Sequence, residues 1–230
     1  MWIGHGVAGC SETAEGWKMF VARSRIGLAG GRFILKTLVL VVGFCLWGSP
    51  AMSAENPEAV VKNGTHQVLQ ILRAYPQDTS ARREKIRDVV EGYFDFEAIG
   101  RLAVGPRWDR VPPEKQQEFT QEFSKLLFNT YVGDIERYAQ RPITYSQRPI
   151  SQGYVVVEAL VRGENGEIPL EYHLHLTNGN WKAYDVSVSG TSLVMNYRYQ
   201  FDSILANGSF DRLLMALRQK VAQICANHRC

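Results

Sequence analysis

The stretch 154-YVVVEALVRGENGEIPLEYHLHLTNGNWKAYDVSVS-189 decides the fold class of this chain. Its first part, residues 154–161, is β-branched and largely apolar, which suits a strand packed on at least one face. Asn165-Gly166 then turns the chain back into residues 168–177, and Asn178-Gly179 reverses it again into 181–189. Asn and Gly tolerate the positive φ angles of a two-residue hairpin turn, so the stretch predicts a three-stranded antiparallel meander. Leu170, Tyr172, Leu174 and Leu176 point one way along the middle strand, and Glu171, His173 and His175 the other. One sheet face is therefore apolar. An edge strand near 141–148 brings the sheet to about four strands, a usual size.

On both sides of this meander the period changes to that of a helix. Downstream, Leu193, Val194, Tyr197 and Phe201 share a helical face, Gly208 closes it, and Leu213, Leu214, Leu217, Val221 and Ile224 form a last amphipathic helix. Upstream, Val60, Val61, Val68, Leu69 and Leu72 predict a helix over 57–75 despite Gly64, stopped by Pro76. Ser80 is the expected N-cap of a second helix carrying Ile86, Val89, Val90 and Tyr93, ending near Phe94. A short third helix runs through Phe96, Ile99, Leu102 and Ala103 to Gly105-Pro106. The longest starts at Pro112-Pro113 and places Phe119, Phe123, Leu126, Leu127, Thr130 and Tyr131 round one face, reaching Tyr138. Helices flank a separate antiparallel sheet, so the class is α+β.

The charge is unevenly placed. Residues 1–54 hold Lys18, Arg23, Arg25, Arg32 and Lys36 against Glu12 and Glu15, which accounts for the whole formal charge of +3. Of 26 cations and 23 anions, 21 of each remain downstream, a balance that argues against a phosphate-tracking surface and so against nucleic acid as a partner. Arg32 and Lys36 lead into the apolar run 37–48 (TLVLVVGFCLWG) and then the small residues 49–54. That order is the pattern of a secretory signal, and the run is shorter than the roughly 20 residues of a spanning helix. Cleavage is expected after Ser53 or Ala54, with an uncleaved anchor as the competing reading. The long stretch before the signal also allows translation to begin at Met19. The chain accordingly divides into 1–54, an N-terminal extension and signal peptide, and 55–230, a single domain. Cys10 and Cys45 leave with the signal. Cys225 and Cys230 could bond in an oxidising compartment, but so small a terminal loop would not staple the core.

Chemistry-bearing motifs are few. Glu171, His173 and His175 offer three ligands of the types zinc takes. Alternate strand positions lie roughly 6.6 to 6.8 Å apart, awkward for three ligands on one ion, so a solvated face is the competing reading. Cys225, His228 and Cys230 form a second set, on a terminus that is expected to fray. There is no Gly-x-Ser-x-Gly elbow, no Gly-rich phosphate loop and no motif pairing Cys with His. Asp95, Glu97 and Asp185 are carboxylates that would serve a pocket or, more commonly, helix caps and surface ion pairs. The expectation is a protein with no catalytic residues, metal or cofactor.

One resemblance extends over most of the chain from about Ile86 to Lys220. It is carried by Phe94-Asp95-Phe96-Glu97, by Arg101-Leu102-Ala103-Val104-Gly105 with Trp108, and by Gln117, Phe119, Phe123, Leu126-Leu127 and Thr130-Tyr131. It continues in Asn180-Trp181-Lys182-Ala183-Tyr184-Asp185-Val186, Gly190-Thr191-Ser192-Leu193-Val194 and Tyr197-Arg198-Tyr199-Gln200-Phe201. In order and spacing these segments resemble the MlaC or toluene-tolerance family of periplasmic phospholipid-binding proteins. The resemblance implies a curved antiparallel sheet wrapped by N- and C-terminal helices around a lipid cavity. It implies a monomeric carrier in the periplasm, serving an inner-membrane ABC transporter complex and an outer-membrane lipoprotein partner in outer-membrane lipid asymmetry. A branch of the family is linked to hopanoid pathways, which leaves phospholipid and hopanoid both open as cargo.

On that footing Phe96, Leu102, Phe119, Phe123, Leu127 and Tyr131 on the helices, with Leu193, would meet Val155, Val157, Tyr172, Leu174, Leu176, Val186 and Val188 on the sheet across the acyl chains. Lys182 and Arg198 are the cations expected at the headgroup. A cystatin-like-fold enzyme or small-ligand binder, and a periplasmic protein-binding adaptor with a filled core, are the alternatives.

Overall fold

The computed structural model describes residues 55–164 and 166–228. The expected signal peptide, the Cys225 to Cys230 bond and the set completed by Cys230 each involve residues outside these.

Six α-helices and five strands follow in the order α1 (Pro57–Ala74), α2 (Thr79–Tyr93), α3 (Phe96–Val104), a 3-10 turn (Gly105–Arg110), α4 (Pro113–Tyr138), β1 (Ile143–Ser151), β2 (Tyr154–Arg162), β3 (Glu167–Thr177), β4 (Asn180–Val188), β5 (Thr191–Ser192), α5 (Leu193–Ala206) and α6 (Phe210–His228) among the described residues. The helix starts are set by short acceptors, which satisfy amide groups that have no partner within the helix. Asn56 Oδ1 accepts from Glu58 N at 3.0 Å, and Asp95 Oδ1 from Ala98 N at 2.9 Å. The second helix is capped by Asp78, whose Oδ1 accepts from Ala81 N at 2.9 Å, and not by the expected Ser80. Both are cap-type residues, and the earlier one adds a further half-turn to the helix.

The strands form one open sheet in the order β1-β2-β3-β4-β5, every neighbouring pair antiparallel. Asn178 and Gly179 take φ of 50° and 77°, as the hairpin reading requires. Ser189 and Gly190 make a second such turn, at 49° and 80°, which adds β5, a two-residue strand that the count of four left out. The edge strand runs later than expected, from Ile143 to Ser151. It carries Pro149 and a register shift just after it, tolerable because the edge leaves one side of the strand unpaired.

A second register shift lies between His173 and Leu174. His173 pairs with Asp185 and Leu174 with Ala183, so Tyr184 is the extra residue on β4. The bulge puts Ala183 on the face of Val186 and Val188. Register then aligns Val155, Val157, Ala159 and Val161 of β2 with Leu174, Tyr172, Leu170 and Ile168 of β3 on that same helix-facing side.

Among the described residues most of the buried apolar side chains fall in three clusters. The largest joins α3, the 3-10 turn, α4, α5 and α6 through Ile99, Trp108, Phe119, Phe123, Phe201 and Leu213. At its centre the Phe119 ring lies 5.4 to 5.8 Å from those of Trp108, Phe123, Phe201 and Phe210. The second packs Val60 of α1 on Val155, Val157, Leu174 and Ala183 of the sheet. The third joins Val68 of α1, Ile86 of α2, and Phe128 and Val132 of α4 with Ala139 just past its end.

Candidate functional site: an apolar cavity between α4 and the sheet

Helix α4 belongs to the first cluster at its start and to the third near its end, and between them it spans the sheet without filling the gap. The result is a cavity of about 460 Å³. One wall is the stripe Phe123, Leu127, Phe128, Tyr131, Asp134, Ile135 and Tyr138, which steps along α4 at helical spacing. Opposite it lie Ile143, Val161, Ile168, Leu170, Tyr172, Leu174, Ala183, Val186 and Val188 of the sheet. Val60, Val61, Thr65 and Val68 of α1 and Val89, Val90 and Tyr93 of α2 close one side, and Phe96, Ile99, Leu193, Val194 and Tyr197 the other. At Gly64 α1 packs against α2, where a Cβ would rest in contact with the Tyr93 ring at 3.4 Å.

The polar groups of the wall are mostly committed to structure. The Asp185 carboxylate accepts from Val186 N at 2.8 Å, Val194 N at 3.1 Å and the Ser192 hydroxyl, which ties β4 to the start of α5. That is the helix-cap role and not that of a free pocket acid. Tyr93 accepts from Gln67 Nε2 at 2.8 Å, and Thr65 Oγ1 accepts from the Tyr145 hydroxyl at 3.1 Å. Burial, with Tyr197 alongside, pushes the Tyr131 hydroxyl up to about 12, and burial does the same to Tyr172. Both therefore stay neutral at any pH a cell meets. Among the described residues no Lys, Arg or His lines the cavity; the guanidinium of Arg87 lies behind the wall, 4.8 Å from the centre of the Phe128 ring.

Phe96, Phe123, Leu127, Tyr131, Tyr172, Leu174, Val186, Val188 and Leu193 line the cavity. The other residues expected there lie elsewhere. Phe119 is fully buried among aromatic rings in the first cluster. Val155 and Val157 face the helices but are covered by Val60 of α1. Leu102 and Leu176 are 39% and 41% exposed, Leu176 lying past the cavity, where its N–H donates to Gly153 O.

Neither cation expected at the headgroup faces the cavity. The Lys182 ammonium donates to Gly92 O near the end of α2, and Arg198 Nη1 donates to Leu102 O, at 3.4 Å, near the end of α3. Both sit where a helix C-terminus favours positive charge. A Cβ on Gly105 would lie 2.6 Å from the Arg198 guanidinium, so that residue, at φ 69°, is confined to glycine twice over.

Glu171, His173 and His175 do not converge. His173 Nε2 lies 3.3 Å from Ser187 Oγ and 3.7 Å from Glu171 Oε2, whereas His175 Nε2 donates to Asp95 Oδ2 at 2.9 Å. Asp95 thereby caps α3 through one oxygen and holds the back of the sheet through the other. Among the described residues no group of three or more His, Cys, Asp or Glu could hold a metal ion. No helix among them is long and apolar enough to cross a membrane.

Several lining residues had no functional reading from sequence, among them Val60, Val89, Asp134, Ile135 and Tyr138. Continuing the α4 stripe past Tyr131 by steps of three and four reaches the last three of these.

The family model described as MlaC protein matches residues 62–219. The toluene tolerance protein ttg2D of Pseudomonas putida is 27% identical over 180 residues, which cover 75% of this chain and 82% of that protein. The intermembrane phospholipid transport system binding protein MlaC of Haemophilus influenzae is 20% identical over 183 residues, 75% of this chain and 86% of that one. The solved structure of a phospholipid-binding protein from Ralstonia solanacearum, in complex with a phospholipid, superposes with a TM-score of 0.66 at 25% identity, covering 74% of this chain and 99% of that one. In fold and over most of its described length, this chain belongs to the MlaC family.

Proposed function

We propose that this protein is a periplasmic lipid carrier that holds the acyl chains of a phospholipid between α4 and the sheet and ferries it between the inner and outer membranes. The observation that carries the reading is the cavity itself, walled by aliphatic and aromatic side chains from both layers of the fold. The need for such a wall follows from magnitude. A two-chain lipid exposes about 30 methylenes at ~0.8 kcal/mol each, on the order of 24 kcal/mol, so free passage through water is negligible. A relative of the same fold is described in complex with a phospholipid, which supports phospholipid over hopanoid as cargo.

An adaptor with a filled core has no use for such a cavity. An enzyme needs convergent polar groups, and here Asp185, Thr65 and Tyr93 are occupied with holding elements together. The carrier works as a monomer without catalysis, loading and unloading against an inner-membrane ABC transporter complex and an outer-membrane lipoprotein. Partner contact opens the gap between α4 and the sheet. Native mass spectrometry of protein purified from the periplasm tests this. A lipid-mass adduct is expected, and lipid-free protein recovered from cells with intact membranes would overturn it.

A further inference from the structure

We propose that Asp134, with the Tyr131 ring beside it, makes the mouth of the cavity selective for lipids whose headgroup carries an ammonium group. This rests on the carrier reading and adds a substrate class to it. Among the described residues the wall contains two carboxylates, Asp134 and Asp185, and no cation. Asp185 is consumed by two backbone amides and the Ser192 hydroxyl, which leaves Asp134 as the charge a headgroup meets. Asp134 is exposed at the rim, and no ion pair or hydrogen bond engages it among the described residues. Three residues earlier on the same helix face, Tyr131 turns a half-buried ring into the same cavity, and its hydroxyl feels the Asp134 charge.

No cation is paired with Asp134 among the described residues. The Arg137 guanidinium lies 5.8 Å from the centre of the Tyr138 ring and is not part of the wall, and that of Arg87 stays behind Phe128. A carboxylate beside an aromatic face is the chemistry that holds an ammonium ion, and an anionic headgroup at the same place meets only repulsion. The phosphate common to all these lipids is then left pointing to water. The selectivity falls on the terminal group, amine against alcohol.

The experiment loads purified protein from vesicles of equal parts phosphatidylethanolamine and phosphatidylglycerol with matched acyl chains, and reads the bound headgroup ratio by native mass spectrometry. The wild type is expected to enrich ethanolamine about twofold to fivefold, the range of one exposed ion pair. Asp134→Asn should return the ratio to that of the vesicle, and Asp134→Lys should favour glycerol, with thermal midpoints unchanged because the side chain is exposed. Wild-type loading at the vesicle ratio, or an Asp134→Asn ratio equal to that of wild type, overturns the selectivity while leaving the carrier standing. Failure to load either lipid overturns both.

Discussion

Leu174→Glu should empty the cavity at neutral pH and let it refill on acidification. Leu174 is 1% exposed, packs with Val60, Val155, Val157 and Ala183, and lines the cavity. Removing its apolar side chain costs about 1.5 to 3 kcal/mol of burial. A glutamate facing acyl chains must also take up a proton, and from an ordinary value of about 4.3 that costs ~4.4 kcal/mol at pH 7.5 and under about 1 kcal/mol at pH 4.5. In the empty protein water can follow the carboxylate into the cavity, so the larger penalty falls on the loaded state. The folded variant is therefore expected to lose co-purified lipid at pH 7.5 and retain it at pH 4.5. His173→Glu points to the opposite face and should keep lipid at both values, with a modest loss of stability from Glu171 nearby. The assay is vesicle loading scored by native mass spectrometry, with circular dichroism melts alongside. A folded Leu174→Glu protein carrying a wild-type complement of lipid at pH 7.5 would refute the assignment of this face.

The alkaline limb of stability should report Tyr172. Its hydroxyl is raised from 10 to about 12 mainly by burial, so between those values the unfolded chain releases a proton that the folded one keeps. Stability present below pH 10 is then lost as pH rises, by about 1.4 kcal/mol per unit, and Tyr172→Phe should flatten the urea midpoints over that window, leaving a smaller slope from Tyr131. Asp185→Ala strips the acceptor from Val186 N and Val194 N and should cost about 1 to 3 kcal/mol in urea unfolding, with Asp185→Asn recovering part of it. Equal midpoints for the two variants would contradict the cap role. Phe119→Ala should cost about 3 to 5 kcal/mol by opening the aromatic cluster, while lipid bound per folded molecule below the melt stays at the wild-type level.

What could be read from sequence is what is decided locally. The alternation through Leu170, Tyr172 and Leu174, the turn at Asn178-Gly179 and the helix start at Pro112-Pro113 each follow from a few neighbouring residues, whereas Asn165 of the other Asn-Gly pair lies outside the described residues. Strand β5 escaped because two residues carry no period, although Ser189-Gly190 is itself a turn signal. The division between cavity and packed core is not local. Phe119 and Phe123 are one turn apart on the same stripe of α4, yet only Phe123 reaches the cavity, because Trp108, Phe201 and Phe210 arrive from distant segments to surround Phe119. In the same way Val155 and Val157 share a face with Leu174 but lie beneath α1. The destinations of Lys182 and Arg198 depend on where the ends of α2 and α3 come to rest, which no spacing in the chain records.

An interior parted into three clusters has a calorimetric signature. Each cluster buries its own side chains, and the void between α4 and the sheet withholds the contacts that would weld them into one cooperative unit. Acyl chains lying in that void touch all three at once and act as a removable piece of the hydrophobic core. The loaded protein should melt as a single transition with equal calorimetric and van't Hoff enthalpies, and the empty one should melt earlier and more broadly. Because a ligand held a thousandfold above its dissociation constant adds about 4.1 kcal/mol to the folded state, the melting temperature becomes a gauge of occupancy. Loss of the cargo then leaves a looser protein than the loaded one.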